Sequence, residues 1–321
     1  MELTRVPYSG GVRIVLAGAT GFLGRPLTAR LVAAGHAVTM LTRRPSAGSP
    51  VPQVQWQPDG TAGPWAGIID GADAVVNLSG APLAPRRWTT ERKRVLVDSR
   101  VLPNRSLVAA IGAAKTPPRV LVSASGAGYY GHCGDRTITE EAPPGEDFLG
   151  RLALEWEEAA NVARTLGTRA VAIRTGLVLG EGGGVLAPML PPFRLGLGGP
   201  FGDGRQYWPW VHLDDWLALV EFTLVQPGVD GPFNNSAPEP ATNEEFARTL
   251  ARVLHRPCLF RVPAFALRLA MGEMADGLLL SGQRAVPARA LSLGFRFRYE
   301  SLEAALRQAL GAPQSSHGSA G

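Results

Sequence analysis

Apolar and polar positions follow two distinct periods over the first part of the chain. Short β-branched apolar runs predict buried strands, whereas apolar residues three or four positions apart predict helices. Strands are predicted at residues 12–16, 37–42, 74–78, 119–123 and 170–174. Helices are predicted between residues 24 and 35, near 91–114 and near 148–166. Strands that alternate with helices favour a doubly wound parallel sheet with helices on both faces, an α/β fold.

The pattern changes beyond residue 180, where glycine and proline become frequent. Loops are predicted around one short helix, followed by a helix at 214–225, a strand at 231–235 and a helix at 243–254 capped by Thr242 or Asn243. The residues after Pro257 predict a small helical region. We therefore expect one domain at 12–180 completed by 210–240, a smaller region at 181–209 and 241–310, and a disordered tail at 311–321.

Composition narrows the class of protein. The chain has 321 residues, 45% of them hydrophobic, which is enough for a large core. Two cysteines, Cys133 and Cys258, cannot form a disulfide framework or a four-cysteine zinc site, so we expect reduced thiols, no metal and a cytoplasmic location. No apolar stretch is long enough to span a membrane.

Charge adds little evidence for a macromolecular partner. The formal net charge is +5, but the basic residues are scattered among acids. The densest basic run, 86–94, is interleaved with Trp88 and Glu91 on a predicted helix, so a solvated surface is favoured over a nucleic-acid interface. We expect no nucleic-acid or membrane partner, and a homodimer formed by exposed helices stays open.

A glycine-rich segment joins the first predicted strand to the first predicted helix. Its spacing is GxxGxxG: Gly18 permits a tight turn, Gly21 lets backbone N–H groups approach a pyrophosphate, and Gly24 allows close packing of the helix. The helix N-terminus would stabilise the phosphate charge. The predicted dinucleotide contacts in this loop are Gly18, Thr20, Gly21, Phe22, Leu23 and Gly24.

The end of the second predicted strand indicates which dinucleotide is bound. An NAD site places a carboxylate here for the ribose 2′-hydroxyl. This chain instead has Thr42, Arg43 and Arg44. Guanidinium groups bind a 2′-phosphate, which a carboxylate would repel. The sequence predicts NADP(H), with Arg43 as the main ligand, Thr42 beside it, and Arg44 as either a ligand or a loop residue in solvent.

Several further motifs occur in a fixed order along the chain. They include Asn77-Leu-Ser-Gly80, Arg87-Trp88, Ser123-Ala-Ser125 with Tyr129-Tyr-Gly131, Trp156-Glu157, Arg174-Thr-Gly-Leu-Val-Leu-Gly180, Gly202-Asp-Gly-Arg-Gln206 and Trp210-Val-His-Leu-Asp-Asp215. The first and fifth resemble the extended short-chain dehydrogenase/reductase superfamily. The whole set resembles an atypical branch of it, the epimerase-family proteins of the YfcH-like type. Past Pro257 the chain resembles that branch's C-terminal domain of unknown function, so the resemblance covers residues 12–310.

The resemblance implies a Rossmann-type fold that binds NADP, with a small, mostly helical C-terminal region on the substrate side. Arg100 lies where ordinary members usually carry asparagine; it is either a ligand of the cofactor's ribose or phosphates, or a surface helical residue. The further cofactor contacts that we expect are Leu78, Ser79, Gly80, Val95, Arg100, Ser123 and Leu177.

The chain lacks the Tyr-x-x-x-Lys pair that ordinary members use for proton transfer. None of its five tyrosines is followed four residues later by lysine. Other acids would then serve, with Ser125, Tyr129, Tyr130 and His212 as candidates. Alternatively, the protein performs no redox chemistry and is an NADP-binding sensor or scaffold.

A polar and aromatic segment at 201–215 resembles the substrate-facing region of the superfamily. Arg205 with Gln206 fits an anionic or sugar-like ligand, while packing is the alternative for Trp208 and Trp210. The substrate-side prediction is Arg205, Gln206, Trp210 and His212, and Asp214 or Asp215 would cap a helix starting near Trp216. The function expected is an NADP(H)-binding epimerase/dehydratase-like oxidoreductase of an unidentified small polar substrate.

Overall fold

A seven-stranded sheet lies at the centre of the computed structural model, which describes residues 11–84 and 86–312. The strands are β1 (Arg13–Ala17), β2 (Ala37–Thr42), β3 (Gln53–Gln55), β4 (Ala74–Asn77), β5 (Val120–Gly126), β6 (Thr137–Ile138), β7 (Arg169–Thr175), β8 (Leu177–Leu179), β9 (Tyr207–Trp208), β10 (Trp210–His212), β11 (Gly231–Asn235), β12 (Ala241–Thr242) and β13 (Arg284–Ala285). The central sheet has the order β11-β7-β5-β4-β1-β2-β3. The pairs β1–β2, β1–β4, β2–β3 and β4–β5 are parallel, as expected of a doubly wound fold. The predicted fold class is confirmed.

Helices cover the connections between these strands. They are α1 (Gly24–Ala33), α2 (Thr90–Ala113), α3 (Phe148–Asn161), α4 (Leu186–Arg194), α5 (Leu213–Val225), α6 (Asn243–Val253), α7 (Ala264–Met271), α8 (Glu273–Ala275), α9 (Ala288–Ser292) and α10 (Leu302–Ala309). Three 3-10 helices lie at Pro64–Ile68, Ala127–Tyr130 and Val162–Leu166, and a π-helix at Asp276–Leu280. In the described residues, no helix is both long and apolar enough to cross a membrane.

Side-chain caps fix where the main helices begin. The Thr89 hydroxyl accepts the Arg92 N–H at the start of α2, and the Asp147 carboxylate accepts the Gly150 N–H at the start of α3. Thr242 and Glu245 form a reciprocal capping box at α6, which decides between the two predicted caps in favour of Thr242. Each cap satisfies N–H groups that the helix leaves without an intrahelical acceptor.

The structure corrects several predicted elements. The edge strand β3 was not predicted, because three residues of mixed polarity beside prolines carry too short a signal. The helix predicted at 148–166 is α-helical only to Asn161 and ends as a 3-10 turn. The predicted cap at Asp214 or Asp215 is wrong: α5 starts at Leu213, and the Asp215 carboxylate instead accepts the backbone N–H groups of Arg298 and Tyr299.

The chain divides into two structural units. The first comprises Met1–Tyr129, Pro144–Arg174 and Leu217–Phe233, and the second comprises Tyr130–Pro143, Thr175–Trp216 and Asn234–Gly321. The tail predicted at 311–321 lies outside the described residues from residue 313 onward. The domain boundaries drawn from the sequence stay a prediction.

Each unit has its own apolar core. In the first unit, sheet residues such as Val15 and Leu41 pack with Trp56, Trp65 and helical Leu107. In the second unit, Phe193, Trp208, Trp210, Phe246 and Leu306 form the centre of another cluster. The packing role that was the alternative for Trp208 and Trp210 is thus what the structure shows, because burial of large aromatic side chains stabilises such a core.

Candidate functional site

The three glycines after β1 differ in why they are glycine. Gly18 has a φ of +75°, and a Cβ there would lie 2.5 Å from the Leu78 carbonyl carbon. A Cβ on Gly24 would lie 2.4 Å from Cα of Ala19. A Cβ on Gly21 would meet no protein atom nearer than the Gly18 oxygen at 3.9 Å. Folding therefore requires glycine at 18 and 24, whereas at 21 glycine keeps space open above the loop.

The N-terminus of α1 has no anionic group of its own. Leu23 supplies no side-chain cap, and the first turn contains no acidic residue. Thr20 and Gly21 are exposed, while Phe22 and Leu23 are partly buried. Because the partial positive charge of a helix N-terminus attracts anions, the loop is arranged to receive a phosphate group.

Two guanidinium groups and no carboxylate follow β2. The Thr42 hydroxyl accepts the Arg44 N–H over 3.3 Å, which fixes the turn after the strand. Arg43 and Arg44 are exposed, and neither guanidinium forms a hydrogen bond or ion pair with another residue of the described ranges. The end of β2 therefore presents two free positive charges in the first unit.

The segment after β4 lies directly against the glycine loop. The Leu78 N–H donates to the Ala17 carbonyl over 2.9 Å, and Ser79 N–H donates to Oδ1 of Asn77 over 3.0 Å. A Cβ on Gly80 would lie 3.3 Å from the Arg100 guanidinium carbon. The structure thus places Gly18 against Leu78 and Ser79, and Gly80 against Arg100. Their assignment to a cofactor stays a prediction.

Arg100 is buried and has no carboxylate partner in the part of the chain that the structure describes. Its side chain is 8% exposed, and its guanidinium donates to the carbonyl oxygens of Leu96 and Ala81 over 3.1 and 3.0 Å. Burial, and to a lesser extent the charge of Arg92, lowers the pKa of Arg100 to about 10. The alternative of a surface arginine is therefore wrong, and a buried positive charge lies beside Gly80.

The other predicted cofactor contacts occupy different environments. Val95 is 42% exposed on α2. Ser123 is buried, and its hydroxyl exchanges hydrogen bonds with the Asn104 amide over 2.9 and 3.2 Å. Leu177 lies in β8 of the second unit, paired with Trp210. Their assignment to a cofactor stays a prediction.

The predicted catalytic residues Ser125 and Tyr129 belong to a buried polar cluster in the first unit. The Ser125 hydroxyl donates to Oε1 of Glu157 over 2.6 Å, and Arg174 binds both oxygens of Glu157 over 2.9 Å. The Arg174 guanidinium lies 3.5 Å from the centre of the Tyr129 ring. Burial raises the pKa of Tyr129 more than the charge of Arg174 lowers it, so the phenol is protonated at neutral pH.

Tyr130 and His212, the remaining candidate acids, are bound internally in the second unit. The Tyr130 hydroxyl donates to Oδ1 of Asn234 over 2.6 Å. His212 accepts the Asp214 N–H at Nδ1, and its Nε2 lies 2.5 Å from Oε1 of Gln308. Since Gln308 Oε1 can only accept, the imidazole is neutral with its proton on Nε2.

The predicted substrate-side residues divide by exposure. Gln206 and Trp210 are buried, and they donate to backbone carbonyls of Phe201, Leu279 and Glu239. Arg205 is exposed and lines an open cavity of about 500 Å³ in the second unit. The roles of Arg205, Gln206, Trp210 and His212 toward a substrate stay predictions. No cluster of metal-ligating side chains occurs in the described parts of the chain.

Two charged residues of the first unit were missed by sequence reasoning. Glu157 lies on the buried face of α3 together with Ala153, Trp156 and Ala160, so a lone carboxylate within the apolar stripe was the available signal. Arg92 was treated as part of a solvated basic run, yet its Nε is buried and has no acceptor among the described residues.

Comparison with known proteins agrees with this architecture. The model of the NAD dependent epimerase/dehydratase family matches residues 14–234, and that of a domain of unknown function, DUF1731, matches residues 262–309. The chain is 40% identical over 301 residues to epimerase family protein Mb2239 of Mycobacterium bovis, covering 94% of this chain and 98% of that protein. It is 38% identical to YfhF of Bacillus subtilis, with coverage of 92% and 97%.

Comparison with solved structures also finds an epimerase family protein. The crystal structure of human epimerase family protein SDR39U1 with NADPH superimposes with a TM-score of 0.85 at 35% identity, covering 93% of this chain and 99% of that one. The resemblance found in the sequence, including the C-terminal domain, is confirmed. The chain belongs to the NAD dependent epimerase/dehydratase family.

Proposed function

We propose that the protein binds NADP(H) on the first unit and transfers a hydride between this cofactor and a small carbonyl or sugar-like substrate. The observation that carries the choice of cofactor is the end of β2, where the Arg43 and Arg44 guanidinium groups have no partner in residues 11–84 and 86–312 and no carboxylate follows the strand. A 2′-phosphate needs such a cationic partner, whereas the 2′-hydroxyl of NAD is bound by an acid. NADPH is also the cofactor named for the human SDR39U1 crystal structure.

The residues present fit a bound dinucleotide. The open space at Gly21 would be filled by a Cβ, and the acid-free helix end beside it suits a pyrophosphate. Arg43 would hold the 2′-phosphate, with Thr42 and Arg44 beside it. The buried charge of Arg100 gives the segment Leu78–Gly80 the positive potential that an anionic cofactor requires.

When bound, NADPH supplies the hydride, and the protein must supply a proton. Of the predicted donors, we choose Tyr129, because its phenol is protonated at neutral pH and lies beside the Arg174 guanidinium. Arg174 against the Tyr129 ring would stabilise the phenolate that remains after proton transfer. In this proposal the Glu157–Arg174 pair orients Tyr129 in place of the missing lysine.

One observation favours a second function, a non-catalytic NADP(H)-binding sensor or scaffold. The polar groups of Ser125, Tyr130 and His212 are all used for internal hydrogen bonds. A general acid must instead reach the substrate oxygen within hydrogen-bond distance.

Coenzyme binding and turnover, measured separately, distinguish these functions. The purified full chain is titrated with NADPH and NADH by fluorescence, and the NADPH-saturated protein is then mixed with a panel of carbonyl compounds and nucleotide sugars. We expect tighter binding of NADPH and loss of its absorbance with at least one compound, and the Tyr129→Phe variant should lose that turnover. Tight binding without turnover over the panel would favour the sensor, and no binding of either coenzyme would refute both functions.

A further inference from the structure

Two arginines of α2 bind neighbouring carbonyl groups of the segment after β4. Arg92 and Arg100 are eight residues apart, a spacing that keeps both within one stripe of a helix. Arg92 Nη2 donates to the Pro82 carbonyl oxygen, and Arg100 Nη2 donates to that of Ala81 over 3.0 Å. Because adjacent residues accept these bonds, the two guanidinium groups lie close together.

No carboxylate compensates these two charges. Within residues 11–84 and 86–312, neither arginine forms an ion pair: their hydrogen bonds go to neutral oxygens, and Arg100 also lies over the Trp156 ring. Nε of Arg92 is buried without any acceptor. The two charges repel each other, and the charge of Arg92 contributes to the lowered pKa of Arg100. A second positive charge beside the buried Arg100 guanidinium is unfavourable unless an anion lies near both.

A second donor, beside Arg100, also lacks an acceptor among the described residues. The Trp156 ring centre lies 5.1 Å from the Arg100 guanidinium carbon, and its indole N–H is buried with no partner in the described residues. Buried donors in native proteins are nearly always hydrogen-bonded. Two unsatisfied donors beside two arginines that no carboxylate of the described residues neutralises therefore indicate that an anionic ligand belongs here.

We propose that Arg92 and Arg100 form an anion site that binds a carboxylate or phosphate group of the substrate. The proposal rests on the proposed function, which places the cofactor at the glycine loop. Arg100 adjoins Gly80, next to the segment that touches Gly18. Arg100 binds the carbonyl of Ala81, the residue after Gly80, and Arg92 binds the carbonyl of Pro82, one residue further from Gly80. Arg92 is thus placed to hold a group of the substrate, while Arg100 lies between this group and the cofactor. The substrate class is an anionic carbonyl or hydroxyl compound.

The site is tested with simple anions on the NADPH-saturated full chain, so that the cofactor's own phosphate sites are filled. Inorganic phosphate and acetate are titrated in parallel at constant ionic strength, and the melting temperature is followed. Arg92→Gln removes the charge and Arg92→Lys restores it. Arg94→Gln is the matched control, because Arg94 is an exposed arginine on the same helix. Circular dichroism verifies that each variant is folded.

We expect phosphate or acetate to stabilise the wild type and Arg94→Gln, and to bind Arg92→Gln about tenfold more weakly, with partial recovery in Arg92→Lys. Preference for one anion assigns the group as phosphate or carboxylate. An equal response in wild type and Arg92→Gln, or no response in the wild type, would overturn the proposal. So would a loss of NADPH affinity in Arg92→Gln as large as in Arg100→Gln, because both arginines would then serve the cofactor. If the wild type binds no NADPH, the proposed function fails, and the same titration of the coenzyme-free protein decides whether the anion site exists.

Discussion

The Ser125 hydroxyl and the Glu157 carboxylate are joined by a 2.6 Å hydrogen bond inside the first unit. Both side chains are buried, and Arg174 neutralises the carboxylate through two further bonds of 2.9 Å. The hydroxyl that the sequence offers to a substrate is thus bound to an internal ion pair. This arrangement predicts that Glu157 matters more for stability than Ser125 does.

Replacing Glu157 by glutamine should lower the free energy of unfolding by about 3–5 kcal/mol, because Arg174 would remain as an uncompensated buried charge. Ser125→Ala removes one hydrogen bond to a charged group and should cost about 1.5–3 kcal/mol. Urea denaturation followed by circular dichroism measures both. Glu158→Gln, at an exposed neighbour on α3, is the control and should change stability by less than about 0.5 kcal/mol. A Glu157→Gln variant as stable as this control would contradict the assignment.

Substitutions of Gly21 and Gly18 should have different effects: the first should weaken cofactor binding, and the second should destabilise the fold. Gly21→Ala places its Cβ in open space and should leave the unfolding free energy within about 0.5 kcal/mol of wild type, while weakening NADPH binding by about tenfold or more. Gly18→Ala combines a φ of +75° with a 2.5 Å approach to Leu78 and should destabilise the fold itself. Thermal melts and NADPH titrations of both variants test this. Unchanged NADPH affinity in Gly21→Ala would show that no cofactor approaches the loop there.

Arg43→Glu should weaken NADPH binding far more than NADH binding. Loss of a charge-assisted bond to the 2′-phosphate costs about 1.5–3 kcal/mol, or roughly 10–100-fold in Kd, and the introduced carboxylate adds repulsion. NADH lacks this phosphate, so its Kd should change by less than about threefold. Lys115→Glu makes the same change of charge at an exposed position before the N-terminal end of β5, whereas Arg43 follows the C-terminal end of β2, and it serves as the control. Equal losses for the two coenzymes would argue against binding of the 2′-phosphate by Arg43.

His212 should make stability depend on pH. Burial lowers the pKa of His212 below its ordinary value of 6.5, outweighing the opposite effects of Asp214, Gln308 and Asp215. The unfolded chain therefore takes up this proton at a higher pH than the folded one. The stability that neutral His212 contributes to the folded state is fully present above about pH 7. It is lost as the pH falls through 6.5 toward the pKa of the folded state.

Urea midpoints between about pH 7.5 and pH 5.5 check this expectation. Over this range His212→Gln should lose less stability than the wild type, because the titrating ring is absent. His132→Gln, which removes an exposed imidazole, is the control for the substitution itself. Parallel slopes in wild type and His212→Gln would exclude His212 as the source of the dependence. Asp215, whose pKa is raised by burial, acts oppositely at lower pH, where the folded state takes up its proton first.

Much of the first unit follows from local sequence patterns. β2 and the strand at Gly231–Asn235 have the predicted bounds, and β1, β4, β5 and β7 differ from prediction by one to three residues at their ends. Such runs are recognisable because burial on both faces of a parallel sheet demands continuous apolar residues. The edge strand β3 has no such run, since only one neighbouring strand binds it.

The candidate site was predictable only in part. Gly18 could be assigned to a tight turn and Arg43 to a cationic strand end, because turn chemistry and charge are properties of neighbouring residues. The burial of Arg100 and the missing acceptor of Arg92 could not be inferred, since helical spacing does not say what covers a helix face.

The sequence by itself determined the α/β class, the order of the main strands and helices, the glycine turn and the acid-free end of β2, because periodicity and turn chemistry are local. Only the tertiary structure decided that Ser125 binds Glu157, that Tyr130 binds Asn234 and that His212 binds Gln308. These partners are 32, 104 and 96 residues apart. Their pairing depends on which faces pack together, and a buried polar group must find its partner among the side chains that packing brings within reach.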